Sequence, residues 1–562
     1  MLKRIFQNDY FLIALISALF FIPFIGRMHL FDWDEINFAE CAREMIVSKD
    51  YLSVQINFKP FWEKPPLFIW MQLLSMKAFG INEFAARFPN AVAGIVTLLV
   101  LFSVGKKVEN QRLGRLWVLV YTASILPQMY FRSGIIDPWF NLFIFLATWN
   151  FIRYSLDSCT SDNRMKYVAF SGFFIGLAVL TKGPTALLIL GLVIFSFLII
   201  RGISMYRGKS NSLLPGFMWS QLVVFVVITS LTGGSWFILQ ILNGHADMVW
   251  KFILYQIRLF TIPDAGHGGH WSYHFWVLLV GVFPASVFAF HSFRVNKDGD
   301  VQLQHFHRVM LILFWVVLVL FSIVKTKIVH YSSLCYFPLS FMAAYGINRM
   351  LNGSKQPGKL IKISLSVIAS LVAIVAIALP FAMMQKQKII DTGIIKDDFA
   401  VANLAANVHW TGWESLIGII FLAGIIYGIV LMKTQLRKGI LTILVSSLLF
   451  TYAAILVFPY RIEKYSQRAA IDFFSKRAGE DCYVLNAGYF SYAPLFYAKI
   501  QPANIKRPMW LLTGDIDKPF YLVVKEPEYK KWKHVIPAMK ALYSENGFVF
   551  LYRADKAGLY TK

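Results

Sequence analysis

Apolar segments of about 20 residues recur along most of this chain, and short polar loops separate them. A helix needs roughly that length to cross the hydrocarbon core of a bilayer, where its backbone must be satisfied internally. The pattern therefore predicts an all-α polytopic membrane protein with about thirteen transmembrane helices. The predicted spans are 10–27, 84–104, 113–130, 137–156, 167–181, 184–200, 217–241, 274–292, 308–324, 331–349, 363–383, 414–432 and 438–458.

The pattern changes after residue 458, where short strand-like pieces alternate with polar helical ones. We therefore divide the chain into a transmembrane domain, residues 1–458, and a small soluble α/β domain, residues 459–562. The first long loop, 28–83, is expected to carry amphipathic interfacial helices, because apolar residues recur there at near-helical spacing. Its apolar series begins with Ile36, Ala39, Ala42 and Ile46.

Composition supports the membrane assignment, since 57% of the residues are hydrophobic and only 15% are charged. The net charge of +24 comes from Lys and Arg that lie mostly in short loops, which indicates topology and argues against nucleic acid. Every second loop is basic, so a cytoplasmic N-terminus is predicted. Thirteen spans then place the tail and the loop 28–83 on the outer face. The four cysteines are scattered and predict neither a disulfide framework nor a thiolate metal site.

Four ionisable residues fall at loop corners on that outer face. Asp34 opens a helical segment, Lys64 precedes a double proline, Asp137 begins the fourth span, and Lys182 lies in the turn between the fifth and sixth. Singly, each has an ordinary explanation, because carboxylates cap helices and lysines extend to lipid headgroups. Together, two carboxylates and two ammonium groups suit a reaction on a phosphate-bearing lipid.

Two later segments carry further candidates. The stretch 258–274 holds Arg258, a candidate phosphate contact. It also holds three histidines, which suggest binding of zinc or a similar divalent metal. His267 is the preferred metal ligand, and Glu63 is a candidate further oxygen ligand. Histidine- and glycine-rich surface loops without metal are common, so both interpretations stay open. Lys327 and Tyr331 begin the tenth span as a second phosphate contact or as an interfacial anchor.

Several motifs resemble those of one family, the GT-C glycosyltransferases of the aminoarabinose-transferase and protein O-mannosyltransferase group. The segment DEINFAECAREM is similar to the family's first-loop motif, which implies that Asp34 is the catalytic carboxylate. EKPPL and LTKGP resemble motifs whose lysines hold the carrier-lipid phosphate, here Lys64 and Lys182. IIDPWF lies where the family has its second acidic residue, Asp137.

The same resemblance implies a metal role for Glu63 and His267 and a binding role for Lys327 and Tyr331 in K-x(3)-Y. The matches cover residues 1–350 in order. In one departure, Asn37 stands where the family often has Arg after its acidic pair. That difference leaves the acceptor open while the phosphate-binding motifs are retained.

The expected protein is therefore an enzyme of the bacterial inner membrane, a multi-pass glycosyltransferase with its active site and C-terminal domain on the periplasmic side. It would move a sugar from an undecaprenyl-phosphate-type donor to an acceptor, with aminoarabinose and lipid A as the leading pair. Protein O-mannosylation and transfer to another surface glycan are alternatives within this class. A polyprenyl-phosphate lipid transporter is the alternative of a different class, although paired repeats and discontinuous helices, typical of transporters, are not evident.

Overall fold

The computed structural model describes residues 8–156, 158–208, 216–261, 268–295, 300–354, 356–533 and 539–554, and most of them are helical. Helices dominate because long apolar segments can satisfy every backbone group within the segment. The helices up to the middle of the chain are α1 Asp9–Phe21, α2 Asp34–Ser48, α3 Leu67–Phe79, α4 Glu83–Val108, α5 Gln111–Ala123, α6 Ile125–Met129, α7 Asp137–Tyr154, α8 Ser161–Lys182, α9 Thr185–Tyr206, α10 Trp219–Gly233, α11 Ser235–Leu242 and α12 Ala246–Thr261.

The second half of the chain continues the helical array and then changes character. Its helices are α13 Tyr273–Gly281, α14 Ala285–Phe288, α15 Val301–Ile323, α16 Tyr336–Leu351, α17 Lys359–Met384, α18 Lys386–Asp391, α19 Asp398–Leu404, α20 Leu416–Leu431, α21 Leu436–Glu463, α22 Arg468–Ser475, α23 Ala493–Tyr497, α24 Pro508–Thr513 and α25 Glu526–Trp532. Short 3-10 turns occupy Tyr130–Arg132, Ala289–Ser292, Val329–Cys335, Trp413–Ser415 and Pro502–Asn504.

Every predicted span overlaps a helix, but several of these helices are short or bent. Within the described ranges, seven helices are long and apolar enough to cross a membrane, and up to ten if each bent pair counts once. The bends are 117° between Ile125–Arg132 and α7, 57° between α10 and α11, and 102° between α13 and Ala285–Ser292. A multi-pass membrane protein is therefore confirmed, whereas the number of thirteen spans stays a prediction.

Close approach of neighbouring helices is made possible by small residues. A Cβ atom on Gly114 of α5 would lie 2.6 Å from the carbonyl oxygen of Phe102 in α4, and one on Gly105 would lie 2.8 Å from Gly114 itself. Such paired small residues allow helix backbones to pack tightly where burial in lipid provides no hydrophobic driving force. Trp117, fully buried, fills the core beside this contact.

The tail contains a four-stranded mixed sheet, in which three strands coincide with predicted strand-like pieces and the fourth, Lys540–Glu545, was not predicted. Its strands are β3 Tyr483–Ala487, β4 Phe520–Lys525, β5 Lys540–Glu545 and β6 Phe548–Arg553, after a small hairpin of β1 Gln55–Ile56 and β2 Lys59–Pro60 earlier in the chain. The order is β3-β4-β6-β5, with β3 parallel to β4 and the other pairs antiparallel. The register pairs Tyr483 with Phe520 and Val523 with Phe550.

The loop 28–83 folds back onto the protein through helices α2 and α3. Helix α3 begins directly after Pro66, as the double proline predicts. Helix α2 is also confirmed, but its polar face is buried against the chain and not exposed at an interface. Arg43 donates to Glu40 through two nitrogens, at 2.7 and 2.6 Å, and Glu44 accepts from the backbone N–H of Phe58 at 2.7 Å. These ion-pair and hydrogen-bond contacts make burial of the charged face tolerable.

Candidate functional site

The first carboxylate lies at the start of α2, where the backbone makes an unusual turn. Trp33, the residue before Asp34, has φ 72° and ψ −116°, a conformation that non-glycine residues rarely adopt. This turn directs Asp34 into a cavity that it lines. The Asp34 side chain is 38% exposed, and a carboxylate oxygen, Oδ2, lies 3.3 Å from Nε2 of His330.

The second carboxylate, Asp137, begins α7 next to Pro138 and is almost fully buried. Its Oδ1 accepts a hydrogen bond from Nζ of Lys182 at 2.6 Å, and its Oδ2 lies 3.6 Å from the same His330 nitrogen. Lys182 is the last residue of α8, and Gly183 follows with φ +95°. That left-handed turn, packed against Phe252, ends the helix so that the ammonium faces Asp137.

Lys64 occupies the corner between the hairpin and α3. Its ammonium lies 5.2 Å from the centre of the Tyr255 ring, and the neighbouring Glu63 accepts a hydrogen bond from the Tyr255 hydroxyl at 3.2 Å. Burial lowers the pKa of Lys64, although the carboxylates of Glu63 and Asp34 oppose that shift. An ammonium group that loses part of its contact with solvent in this way is stabilised by an anionic ligand.

The surroundings hold Asp34 in its ionised form. Burial by itself would raise the pKa of this carboxyl, but a hydrogen bond from His330 and the charges of His330, Lys64 and Lys182 lower it to about 2. Asp34 is therefore an anion at any physiological pH. It can orient a hydroxyl or a cationic group of a ligand without first losing a proton.

A buried ion pair behind the site joins three segments of chain. Glu35 accepts from Nε of Arg87 at 2.9 Å and from its second terminal nitrogen at 2.7 Å. The same carboxylate also accepts from the backbone N–H groups of Phe31 and Gly134. Arg87 uses its other donors on the carbonyls of Ile25, Met28 and His29. The pair thus positions both the start of α2 and the loop that leads to Asp137.

A cavity of about 770 Å³ connects these groups. Its charged lining is drawn from widely separated segments: Asp32, Asp34, Glu35, Glu63, Lys64, Asp137, Lys182 and His330. A narrower chamber of about 50 Å³ adjoins it and shares Lys64, Asp137, Lys182 and Tyr331. The Lys182 ammonium lies 4.9 Å from the centre of the Tyr331 ring. The volume is sufficient for a sugar-sized ligand with a phosphate held between the two lysines.

Six of the predicted site residues come together here: Asp34, Glu63, Lys64, Asp137, Lys182 and Tyr331. Lys327 has a different role, since its ammonium donates to the carbonyls of Phe321, Ser322 and Val324 at the end of α15. The prediction of phosphate binding by Lys327 is corrected on this ground, because all three donors cap a helix. Arg258 is exposed, 5.2 Å from the Tyr255 ring centre, and does not line the described cavity, so its role stays a prediction.

His267 lies outside the described residues, so the structure does not test the predicted metal pair. Among the residues that are described, no three His, Cys, Asp or Glu side chains are gathered as a metal-ligand set. Glu63 is instead hydrogen bonded to Tyr255. The described residues alone do not fit a metal site.

Sequence reasoning missed several residues that line the cavity. His330 directly precedes Tyr331 in the chain but was not predicted as a site residue. Tyr255 lies one helical turn before Arg258, which was predicted, and it lines the cavity whereas Arg258 does not. Phe490 and Tyr492 follow β3 in the tail. The Phe490 ring lies 5.6 Å from that of Trp33. An exposed aromatic residue just after a predicted strand was the signal available, but nothing in the sequence links it to Asp34.

Comparison with solved structures identifies the class of fold. The crystal structures of ArnT from Cupriavidus metallidurans, bound to undecaprenyl phosphate and in the apo state, both align with a TM-score of 0.73. The alignments cover 97% of this chain and 97% of that one, at 17% and 16% sequence identity. The chain therefore has the fold of ArnT.

Sequence comparisons lead to the same group. Residues 63–232 match the dolichyl-phosphate-mannose-protein mannosyltransferase family. Curated relatives named undecaprenyl phosphate-alpha-4-amino-4-deoxy-L-arabinose arabinosyl transferase include those of Shewanella sediminis, 28% identical over 345 residues, and Proteus mirabilis, 25% identical over 374. The alignments span 60% and 66% of this chain, and 60% and 64% of the relatives' length. The resemblance to lipid-linked-sugar glycosyltransferases is confirmed.

Proposed function

We propose that the protein is an integral membrane glycosyltransferase that uses a polyprenyl-phosphate-linked sugar, of the undecaprenyl phosphate type, as its donor. The observation that carries this proposal is the pairing of two carboxylates, Asp34 and Asp137, with two lysines, Lys64 and Lys182, around one cavity. Lysine ammonium groups bind phosphate as point charges. Carboxylates beside them suit the acceptor side of a transfer reaction.

In the proposed reaction, the bond between the anomeric carbon and the phosphate oxygen breaks, and its electron pair stays with the phosphate. Lys64 and Lys182 stabilise the charge that develops on the departing lipid phosphate. A bond forms at the same carbon from the acceptor oxygen. The adjoining chamber at Lys182 and Tyr331 provides the space in which the phosphate lies between the lysines.

Asp34 serves the acceptor. For a hydroxyl acceptor, the carboxylate accepts its hydrogen bond and takes the proton as the new carbon–oxygen bond forms. A phosphate acceptor is already ionised and needs no base, so Asp34 would then only orient it. Asp137, held by Lys182 at 2.6 Å, supports the geometry of both the acceptor and Asp34.

The preferred substrates are aminoarabinose, or a similar sugar, and lipid A. The names of the curated relatives support the sugar and its undecaprenyl phosphate carrier, and the crystal structure of ArnT with undecaprenyl phosphate supports the carrier. Lipid A as the acceptor rests on the resemblance of the sequence motifs to those of the aminoarabinose transferases. Protein O-mannosylation is the second candidate, because residues 63–232 match the mannosyltransferase family. Asn37, which replaces the expected Arg, lines the cavity and is a position where the acceptor preference could differ.

We assign the protein to the bacterial inner membrane, with about thirteen spans in residues 1–458 and an α/β domain in residues 459–562. The site and that domain lie on the periplasmic side in this proposal. The alternation of basic loops supports the orientation. Convergence of the four predicted outer corners in one cavity agrees with it, since all must then share one face.

A divalent metal at Glu63 and His267 is retained as a proposal, and no step of the reaction is assigned to it. Metal analysis of the purified protein tests it without requiring activity. We expect about one equivalent of zinc or a similar metal, which Glu63→Gln and His267→Ala both remove. Purified wild-type protein that is folded and contains no bound divalent metal would overturn this part of the proposal.

A transfer assay with purified protein tests the function. Radiolabelled sugar on polyprenyl phosphate is incubated with membrane extract, and label is followed into lipid and protein fractions. We expect transfer into lipid, lost in Lys64→Ala and retained in Lys59→Ala, an exposed lysine of the same loop. Label in protein would favour the mannosyltransferase. Tight donor binding without transfer, across several sugars, would favour the lipid transporter and overturn the proposal.

A further inference from the structure

His330 lines the cavity but has no role in the reaction proposed above. Its Nε2 atom lies 3.3 Å from Asp34 and 3.6 Å from Asp137, so a single imidazole nitrogen faces both carboxylates. The side chain is 20% exposed and lines the cavity. It is carried on the 3-10 turn Val329–Cys335, where the hydroxyl of Ser333 donates to the His330 carbonyl.

The neighbouring charges show why an imidazole is placed there. Lys182 neutralises Asp137 through Oδ1, whereas Asp137 Oδ2 is buried and has no hydrogen bond to any described residue. For Asp34, the direct ionic contact found in the described part of the chain is the one to His330. Two carboxylates this close repel each other unless a donor stands between them.

Binding of the donor makes the contact of His330 with the two carboxylates more important for keeping Asp34 in place. The proposed phosphate brings negative charge to Lys64 and Lys182. The two lysines must then balance the charge of the phosphate in addition to the charge of the two carboxylates. His330 faces both carboxylates and remains in contact range of each when the lysines bind the phosphate. Without it, Asp34 would be free to rotate toward the lysines and pair with them, which would remove it from the acceptor side.

We propose that His330 is a positioning residue for the transfer reaction, one that bridges Asp34 and Asp137 and keeps Asp34 directed at the acceptor while the lysines hold the donor phosphate. The inference rests on the proposed glycosyltransferase function. It concerns the acceptor side of that site and predicts a defect in turnover, with donor binding preserved.

The first test separates turnover from donor binding in His330→Ala. We expect kcat to fall about 10- to 100-fold, because a misplacement of around 1 Å at a reacting group costs that order of rate. Donor KM, and the affinity for undecaprenyl phosphate alone, should stay within about threefold of wild type. His409→Ala, an exposed histidine in another loop, provides the matched control and should leave both values unchanged.

The second test asks whether His330 acts through Asp34. The variants His330→Ala, Asp34→Asn and their combination form a double-mutant cycle measured in single-turnover reactions. We expect the double variant to be no slower than Asp34→Asn, whereas a general structural defect would reduce the rate by the same factor in both backgrounds. Should Asp34→Asn fall below detection, the kcat and KM values of His330→Ala decide the matter.

The outcomes distinguish this inference from the function on which it rests. Wild-type protein that transfers no sugar would overturn the function itself. Wild-type transfer with normal kcat in His330→Ala would overturn the role of His330 alone. Loss of undecaprenyl phosphate binding in His330→Ala, with an unchanged melting temperature, would also overturn it, since it would place His330 on the donor side.

Discussion

The ion pair of Glu35 and Arg87 is buried, since the two side chains are only 4% and 1% exposed. Glu35→Gln keeps the shape of the side chain but removes its charge. The guanidinium would remain charged and buried without the Glu35 carboxylate, and the amide nitrogen of Gln would face one of the two backbone N–H donors, that of Phe31 or that of Gly134, which would then lack its acceptor. Breaking a buried pair from one side costs about 3–5 kcal/mol.

The same change should reach the site. Glu35 joins the start of α2 to the backbone of Gly134, three residues before Asp137. We therefore expect Glu35→Gln to lower both the melting temperature in detergent and the rate of sugar transfer. Intrinsic tryptophan fluorescence on heating measures the first, and the radiolabel assay measures the second, at a temperature where the variant is folded.

A matched control comes from the exposed pair of Asp247 and Lys251, 3.1 Å apart on α12. Asp247→Asn removes a carboxylate in the same way, but water screens that pair, so no measurable change in melting temperature is expected. The double variant Glu35→Gln with Arg87→Met should be more stable than Glu35→Gln alone, because the stranded charge is gone. A melting temperature of Glu35→Gln equal to that of wild type would refute the reasoning.

Three further predictions follow from the site and its surroundings. Lys182→Met should raise the donor KM about 10- to 100-fold, since a charge-assisted contact to phosphate contributes about 1.5–3 kcal/mol, while Lys166→Met on the same helix should not. Phe490→Ala should raise the acceptor KM and leave the donor KM unchanged, because Phe490 lies beside Trp33 on the acceptor side of the cavity; equal changes in both would contradict this assignment. Burial and the adjacent Glu40 raise the pKa of Glu44 from 4.5 to about 9, so the native state retains a proton that the unfolded chain loses. Wild-type stability should therefore fall as the pH rises from about 5 to 9, and Glu44→Gln should be progressively more stable than wild type over that range; parallel melting curves would refute it.

The sequence motifs predicted which residues form the candidate site but not which of them contact one another. Asp34, Lys64, Asp137 and Lys182 were each found from the sequence, because ionisable residues at loop corners are rare in such an apolar chain. Their pairing was not found. Lys182 contacts Asp137, and His330 lies between Asp137 and Asp34. These contacts join segments that are far apart in the sequence, so no local pattern indicates them.

The same distinction explains the errors. Lys327 was grouped with the phosphate ligands by spacing, but the path of the chain after α15 turns its ammonium onto the carbonyls that end that helix. The polar face of α2 was expected at an interface, but Glu40, Arg43 and Glu44 are buried by the chain that folds over them. Phe490 reaches the cavity because the tail packs against the first loop.

A multi-pass helical membrane protein with acidic and basic site residues at its loop corners could be predicted from the amino-acid sequence. Those features depend on local properties, the length and composition of each apolar segment and the rarity of charge near hydrocarbon. The partner of each charged group, the position of His330 between the carboxylates and the contribution of the tail to the cavity became visible in the folded structure. Contacts between distant segments depend on how helices bend and pack, and no local pattern of residues encodes that arrangement.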